Sequence, residues 1–383
     1  MENSDLNKLK ALRDEIDNTD RQLIEYFEKR AEISKKIGIL KQNSGNPVRD
    51  PEREQLVIKE RSSWLKDSSL SYEAEAFIRA VISGSRRLQH SEYYRLNVDI
   101  TPMDSPDYTK AVAYQGISGS YGEQAALFFT KGDEKKLYSC TYFEDVFKTV
   151  SANDCYGIVP IENSIIGGVS EVMDLFKQYE CKIVKEIRVS EKHCLLGIKG
   201  TSLSDIKTIY SHPQAIEQCR DFIQKNNMKT ISCHNTAQCT KTISNINDRT
   251  CATIASKRAA QLYNLDILAF NIQNNVNNIT RFAVISKRQE VYPYSDKVSI
   301  AFCLPNESGS LCNALAYFQK YKLNLSKIES HPGKSEQWAY NFHIDFEGNY
   351  YDKNTIAALS ALAEEAKEFT VLGFYGAEDS GEL

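Results

Sequence analysis

The sequence predicts a multidomain protein with an all-α module at the front, an α/β unit in the middle and an α+β unit at the end. Three observations carry this expectation. Between Asp5 and Lys41, the residues Leu9, Leu12, Ile16, Thr19, Leu23, Tyr26, Arg30, Ile33, Ile37 and Leu40 follow steps of three and four, the spacing of one helical face. After Ala111, short apolar runs alternate with helical stretches. From about Asp296 onward the order becomes strand, helix, strand, strand, helix, strand, which is that of a ferredoxin-like sandwich.

The first helix holds an anomaly. Its inward stripe is apolar except at Thr19 and Arg30, and an arginine there needs an anionic partner, either a carboxylate or a ligand. Lys41 lies eleven residues on, close to three whole turns, so both cations point the same way. At about 55 Å the helix outruns a compact domain, and a homodimer is the simplest cover for its stripe. Ser44, Gly45, Asn46 and Pro47 break it, and Asp50 before Pro51 reads as the N-cap and first position of a second helix. A third is expected from about Tyr72 to Tyr94, with Ile78, Ile82, Ser85 and Gln89 on one stripe. Inward polar groups therefore recur on all three helices: Arg30 and Lys41, then Asp50, Arg53 and Glu54, then Ser85 and Gln89. Taken singly, each suits a coiled-coil dimerisation module. Together they line a pocket for a small polyanion.

From Leu96 to Lys110, proline, aspartate and serine dominate, which predicts a linker. Strands are then expected at Ala111–Ile117, Tyr156–Ile161, Lys182–Ile187, His193–Ile198, Ile206–Tyr210 and Thr250–Ile254. Polar clusters mark several of their ends: Pro160 to Ser164, Ser211 to Ala215 with Gln218 and Cys219, Asn235 to Ala237, and Asn277 to Phe282. Each cluster alone would also serve as a capped turn. In the last unit, Lys297–Leu304, Leu323–Ser330, Tyr340–Phe346 and Thr370–Phe374 read as strands, and Ser308–Tyr321 and Thr355–Lys367 as helices.

Composition narrows the class. The 383 residues are 42% hydrophobic and 26% charged, globular material with room for two or three domains. A formal charge of −4 gives no reason to expect nucleic acid. Met1–Lys10 has neither an apolar h-region nor an Arg-rich transit pattern, and no run of about eighteen apolar residues occurs, so a cytoplasmic protein without a membrane partner is expected. Ten cysteines run from Cys140 to Cys312 with no C-x-x-C pair, and these are expected as free buried thiols rather than disulfides or zinc ligands.

The pattern Leu12-Arg13-Asp14, Arg30, Lys41, Val48 to Glu54, Ser85 and Gln89 resembles the all-helical chorismate mutases. That resemblance implies a unimolecular rearrangement needing no nucleophile, acid or base. Arg13 and Arg30 would clamp two carboxylates, Lys41 and Gln89 would hydrogen-bond the ether oxygen, Glu54 and Asp50 would hold the ring hydroxyl region, and Arg53 and Ser85 would complete the wall. Arg13 precedes Arg30 by seventeen residues, about 25 Å along the axis, so it would come from a second subunit.

The clusters from Pro160 to Phe282, in this order, resemble prephenate dehydratase over residues 111 to 288, with Thr280-Arg281-Phe282 the most diagnostic segment. This implies a two-lobed α/β domain of the periplasmic-binding-protein sort. Thr280 would be the donor to the departing hydroxyl, Asn163, Ser211, Gln218 and Phe282 would hold the substrate, and Arg281 would pair with a carboxylate or serve structure.

The last unit resembles an ACT regulatory domain on Asn306 to Leu311 and Glu329-Ser330-His331-Pro332, which would place L-phenylalanine against Gly309, Ser310, Leu311, Glu329 and Ser330. Ser310 and His331 depart from the usual Gly-Ala-Leu and Glu-Ser-Arg-Pro, and a histidine in place of an arginine fork predicts weak or pH-dependent feedback. The expected units are 1–95, 111–288 and 296–376, joined by a linker over 96–110. They would act as a homodimer or higher oligomer converting chorismate through prephenate to phenylpyruvate, with no metal or organic cofactor. A dehydratase with an inactive helical module, and an α/β unit that is an amino-acid or aromatic-acid sensor without chemistry, are the alternatives.

Overall fold

A computed structural model describes residues 3–90, 98–233, 236–246, 248–332 and 340–381. Three helices open the chain: α1 (Asn3–Ser44), α2 (Pro51–Ser62) and α3 (Ser71–His90). Asp50 caps α2 by accepting from the Arg53 amide, with Pro51 in the first turn, as the sequence predicts. The predicted end of α3 at Tyr94 lies outside the described residues. Within this chain the Leu9-to-Leu40 stripe is not buried: Leu12, Ile16, Tyr26 and Leu40 are all more than half exposed. The face that meets α3 is made by Arg30 of that stripe together with Ser34 and Gly38, which lie off it. A Cβ at Gly38 would sit 2.9 Å from the Gln89 backbone, so glycine is what lets the two helices approach this closely.

The predicted linker carries a short strand, β1 (Ile100–Pro102). The α/β unit follows with β2 (Val112–Gln115), α4 (Tyr121–Phe129), β3 (Leu137–Cys140), α5 (Phe143–Ala152), β4 (Tyr156–Asn163), β5 (Gly167–Gly168), α6 (Ser170–Tyr179) and β6 (Lys182–Ser190). A second lobe is made of β7 (Cys194–Gly197), β8 (Thr208–Ser211), α7 (Pro213–Gln218), α8 (Arg220–Lys225), β9 (Lys229–Ser232), α9 (Thr236–Ile246), β10 (Cys251–Ala255), α10 (Lys257–Leu262) and β11 (Asp266–Ala269). The chain returns to the first lobe as β12 (Ile279–Ser286) and then forms β13 (Gln289–Val291), which pairs with β1.

The second lobe's sheet runs β11-β7-β10-β8-β9, with apolar clusters on both faces. Its strands are short, continuous apolar runs such as Cys194–Gly197, as expected where both faces are covered. Near its edge, Cys233 and Cys239 form a disulfide, which corrects the expectation of free thiols throughout. The end of β9 and the start of α9 bring their Cα atoms to 6.3 Å, within disulfide reach, while the other eight cysteines form no disulfide.

The last unit has the expected βαββαβ order: β14 (Lys297–Cys303), α11 (Ser310–Lys320), β15 (Leu325–Pro332), β16 (Tyr340–Glu347), α12 (Lys353–Glu365) and β17 (Glu368–Asp379). Its sheet does not stand alone. The early residues of β17 pair with β14, and Gly376 to Asp379 pair in parallel with β6, giving one sheet ordered β15-β16-β14-β17-β6-β12-β4-β2-β3. A Cβ at Gly373 would fall 2.1 Å from the Ile183 carbonyl, so the crossover needs glycine. The helical module packs on this last unit: Arg86 of α3 bonds Glu365 of α12, and the Val48 amide donates to Glu364.

Candidate active sites

A cavity of about 700 Å³ lies between the two lobes of the α/β unit. β12 pairs with β4 so that Thr280 stands opposite Asn163, and a bulge follows at Arg281/Phe282. Asn163 Nδ2 donates to Thr280 Oγ1 at 2.8 Å and to Asn278 Oδ1 at 2.8 Å, and Thr280 Oγ1 donates to Glu191 Oε1 at 2.6 Å. Burial raises the proton affinity of Glu191. Alongside, His193 Nε2 meets Gln218 Oε1 at 2.6 Å, and its Nδ1 meets the Tyr121 hydroxyl at 3.1 Å. The rim includes the glycine-rich turn before α4. There Gly119, at φ +93°, packs so closely on α10 that a Cβ would lie 3.0 Å from Ala259. Among the described residues, no lysine or arginine lines this cavity; its charged or titratable groups are Glu171, Glu191, His193, His212 and Tyr121.

Of the residues the sequence singles out, Asn163, Gln218, Thr280 and Phe282 line the cavity. Ser211 is fully buried, does not line it, and donates to the Ile254 carbonyl. Arg281 also belongs elsewhere, because strand alternation turns it away from Thr280 and Phe282. Its guanidinium bonds Glu162, Glu186 at 2.6 Å and Asp345 of β16 at 2.7 Å, so its carboxylate partners are the protein's own. Burial opposes charge on Glu186, yet Arg281 and Lys297 hold its pKa down at about 2. Glu191, His193 and Tyr121 were missed. Their only sequence signal is position, since Glu191 directly follows one strand, His193 directly precedes the next, and Tyr121 follows a capping serine. Asn235 lies outside the described residues.

On the helical module, Arg30 bonds the Ser85 hydroxyl and donates to the Val81 carbonyl at 3.2 Å, so its partners are neutral. Lys41 Nζ donates to the Val48 carbonyl at 2.7 Å. Gln89 is buried, and its Oε1 has no hydrogen-bond partner among the described residues. Asp50 and Arg53 are exposed, and so is Arg13, on a distant part of α1. Glu54 meets Arg86 at 2.5 Å, and Arg86 also bonds Glu365 at 2.7 Å, which links α2 through α3 to α12. A cavity of about 330 Å³ opens there, lined by Arg49, Glu54, Arg86, Gly309, Ser310 and Glu365 among others. Arg30, Lys41, Ser85 and Gln89 are not among its walls. Neighbouring His90 is fully buried, and that burial, with nearby Lys320, Arg86 and Lys41, depresses its pKa to about 3.

The predicted effector segments part company within one chain. Gly309, at φ +85°, and Ser310 open α11 and face the helical module, while Leu311 packs into the last unit's core. Glu329 lies instead against Gly168 and bonds Lys327 at 3.0 Å, and His331 Nδ1 lies 3.3 Å from the Ser170 hydroxyl at the rim of the larger cavity. Ser330 is exposed on the same strand.

The profile of the prephenate dehydratase family matches residues 112–290, and that of chorismate mutase type II matches residues 12–90. A bifunctional chorismate mutase/prephenate dehydratase of Aquifex aeolicus (strain VF5) is 34% identical over 373 residues, covering 97% of this chain and 98% of that protein. Its counterpart in Buchnera aphidicola subsp. Schizaphis graminum (strain Sg) is 30% identical over 97% of each. Among solved structures, prephenate dehydratase from Arthrobacter aurescens in complex with L-Phe aligns with a TM-score of 0.64 and 28% identity over 70% of this chain and 90% of that one.

Proposed function

The chain belongs to the family of bifunctional chorismate mutase/prephenate dehydratases, and on that premise we propose a division of labour. The helical module rearranges chorismate to prephenate, and the cavity between the lobes turns prephenate into phenylpyruvate for phenylalanine biosynthesis. The observation that carries this is the hydrogen-bonded set Asn163, Thr280 and Glu191 on the wall of a cavity sized for a small ring. Loss of carbon dioxide pushes electrons into the ring, so the protein's main task is to donate at the oxygen that departs. Thr280 donates there, with Asn163 and Gln218 orienting the substrate.

In the mutase site, Arg30, Lys41, Ser85 and Gln89 surround the dianion with Asp50, Arg53 and Glu54 beside it, and Arg13 arrives from a second copy. The exposed apolar stripe of α1 supports a homodimer or higher oligomer. We assign residues 296–376 to an ACT domain with L-phenylalanine as effector, and residues 1–95 and 111–288 to the two catalytic domains. Gly309 to Leu311 and Glu329 to Ser330 would come together between copies. The protein acts in the cytoplasm. A coupled assay from chorismate to phenylpyruvate, with and without L-phenylalanine, tests the whole reading. Both products should form in sequence and phenylalanine should slow the second step; chorismate or prephenate left unconverted would remove the corresponding half.

A further inference from the structure

The structure points to a partner for Thr280 in the dehydration, and the inference rests on reading the larger cavity as the prephenate site. We propose that Glu191 is the proton source for the departing ring hydroxyl, delivering through the Thr280 side chain. A threonine hydroxyl parts with its proton reluctantly, so on its own it polarises a leaving group more readily than it protonates one. Behind Thr280 stands a carboxyl: Glu191 Oε1 is 2.6 Å from Thr280 Oγ1, and Asn163 Nδ2 fixes that oxygen from another side at 2.8 Å. With the substrate present, the Thr280 proton turns to the leaving oxygen, and the lone pair not used by Asn163 accepts from a protonated Glu191.

Two features keep that proton on Glu191. Burial disfavours its charged form. The cavity also offers no lysine or arginine among the described residues; the titratable groups facing Glu191 across it are Glu171, His193, His212 and Tyr121, with Lys192 next along the chain. Of these, His193 draws the carboxyl toward its charged form, the Thr280 and Asn278 hydrogen bonds act in the same direction, and burial outweighs all three. A bound dianion adds like charge and raises the proton affinity further.

The step balances. The ring carbon–carboxylate bond breaks and its electron pair enters the ring as carbon dioxide leaves, while the ring carbon–oxygen bond breaks with its pair on oxygen. That oxygen takes the Thr280 proton and Thr280 takes the Glu191 proton. The products are phenylpyruvate, carbon dioxide, water and a Glu191 carboxylate, which solvent reprotonates.

The test uses the full-length protein with E191Q, E191D and T280V, reading dehydratase kcat and KM against pH and mutase rate as the control for folding. E191Q should lower kcat about a hundredfold with KM within about threefold, and should abolish the fall in kcat that the wild type shows as pH rises through the Glu191 pKa. E191D should keep that fall at a reduced rate. An E191Q enzyme with kcat within about threefold of wild type, or with the alkaline fall unchanged, overturns the proposal. Should E191Q fail to fold, E191D and the wild type decide, since a wild-type kcat flat from about pH 5 to about pH 9 is incompatible with a carboxyl donor. The underlying reading fails separately: a T280V enzyme that still dehydrates removes the cavity's assigned role, whereas a dead T280V beside an active E191Q removes only Glu191.

Discussion

In the larger cavity, Asn163, Thr280 and Glu191 hydrogen-bond one another within one chain, held by the register of β4 against β12. On the helical module, Arg30 rests on neutral partners, Arg13 lies about 25 Å away along α1, and the apolar stripe beside them faces outward. On the roles proposed above, the contrast follows from the chemistry asked of each. An elimination needs one donor aimed at one atom, which a paired strand would supply. A rearrangement needs charges placed around a compact conformer, and a long helix would deliver these from two copies to a shared site.

The sharpest way to break this comparison is subunit mixing. Arg13→Ala and Arg30→Ala should each cost about a thousandfold in mutase kcat/KM, about 4 kcal/mol, while leaving dehydration unchanged. Random co-assembly of the two variants should restore about a quarter of wild-type mutase activity, because half the dimers would contain one intact site. No recovery would mean that the site is complete in one chain.

Next in size is Arg281→Met, which would leave Glu186 buried without its main partner. Chemical denaturation should show a loss of about 3 kcal/mol, with the dehydratase weakened by instability rather than by a raised KM. A KM effect without destabilisation would return Arg281 to the substrate. Acid titration checks the same cluster. With its pKa held at about 2, Glu186 contributes stability that is complete above the ordinary glutamate range and is lost as pH falls toward that value, so Arg281→Met should flatten the acid limb of stability against pH.

The smallest expected effect is at Arg86, which joins Glu54 to Glu365. Arg86→Met should lower mutase kcat/KM about tenfold, about 1.4 kcal/mol, with dehydratase KM unchanged, and Arg86→Lys should recover part of the loss. An unchanged mutase would make the link a plain domain contact.

Much of this architecture was legible because it rests on local rules. Asp50-Pro51 announced a helix start, the six-element order after Asp296 held, and the motif around Thr280 pointed to a residue that lines the larger cavity. What sequence could not reach depends on distant pairing. Arg281 and Thr280 are adjacent in the motif yet point to opposite faces once β12 is a strand. Ser211 looked available beside His212 until burial against Ile254 occupied its hydroxyl. The interior face of α1 was read from its leucines and isoleucines, whereas within one chain the contact runs through Ser34 and Gly38, where small size admits α3. Cys233 and Cys239 carry no spacing signature, and they meet only because the end of β9 lies beside the first turn of α9.

β17 joins the two halves of one sheet, its early residues stitched to β14 and its late ones to β6. The two units it joins therefore share a seam of main-chain hydrogen bonds instead of a hinge. Hinge-like swinging of one against the other would tear that seam, so the edge strand β15 and the strand that carries Thr280 are held in one continuous ribbon.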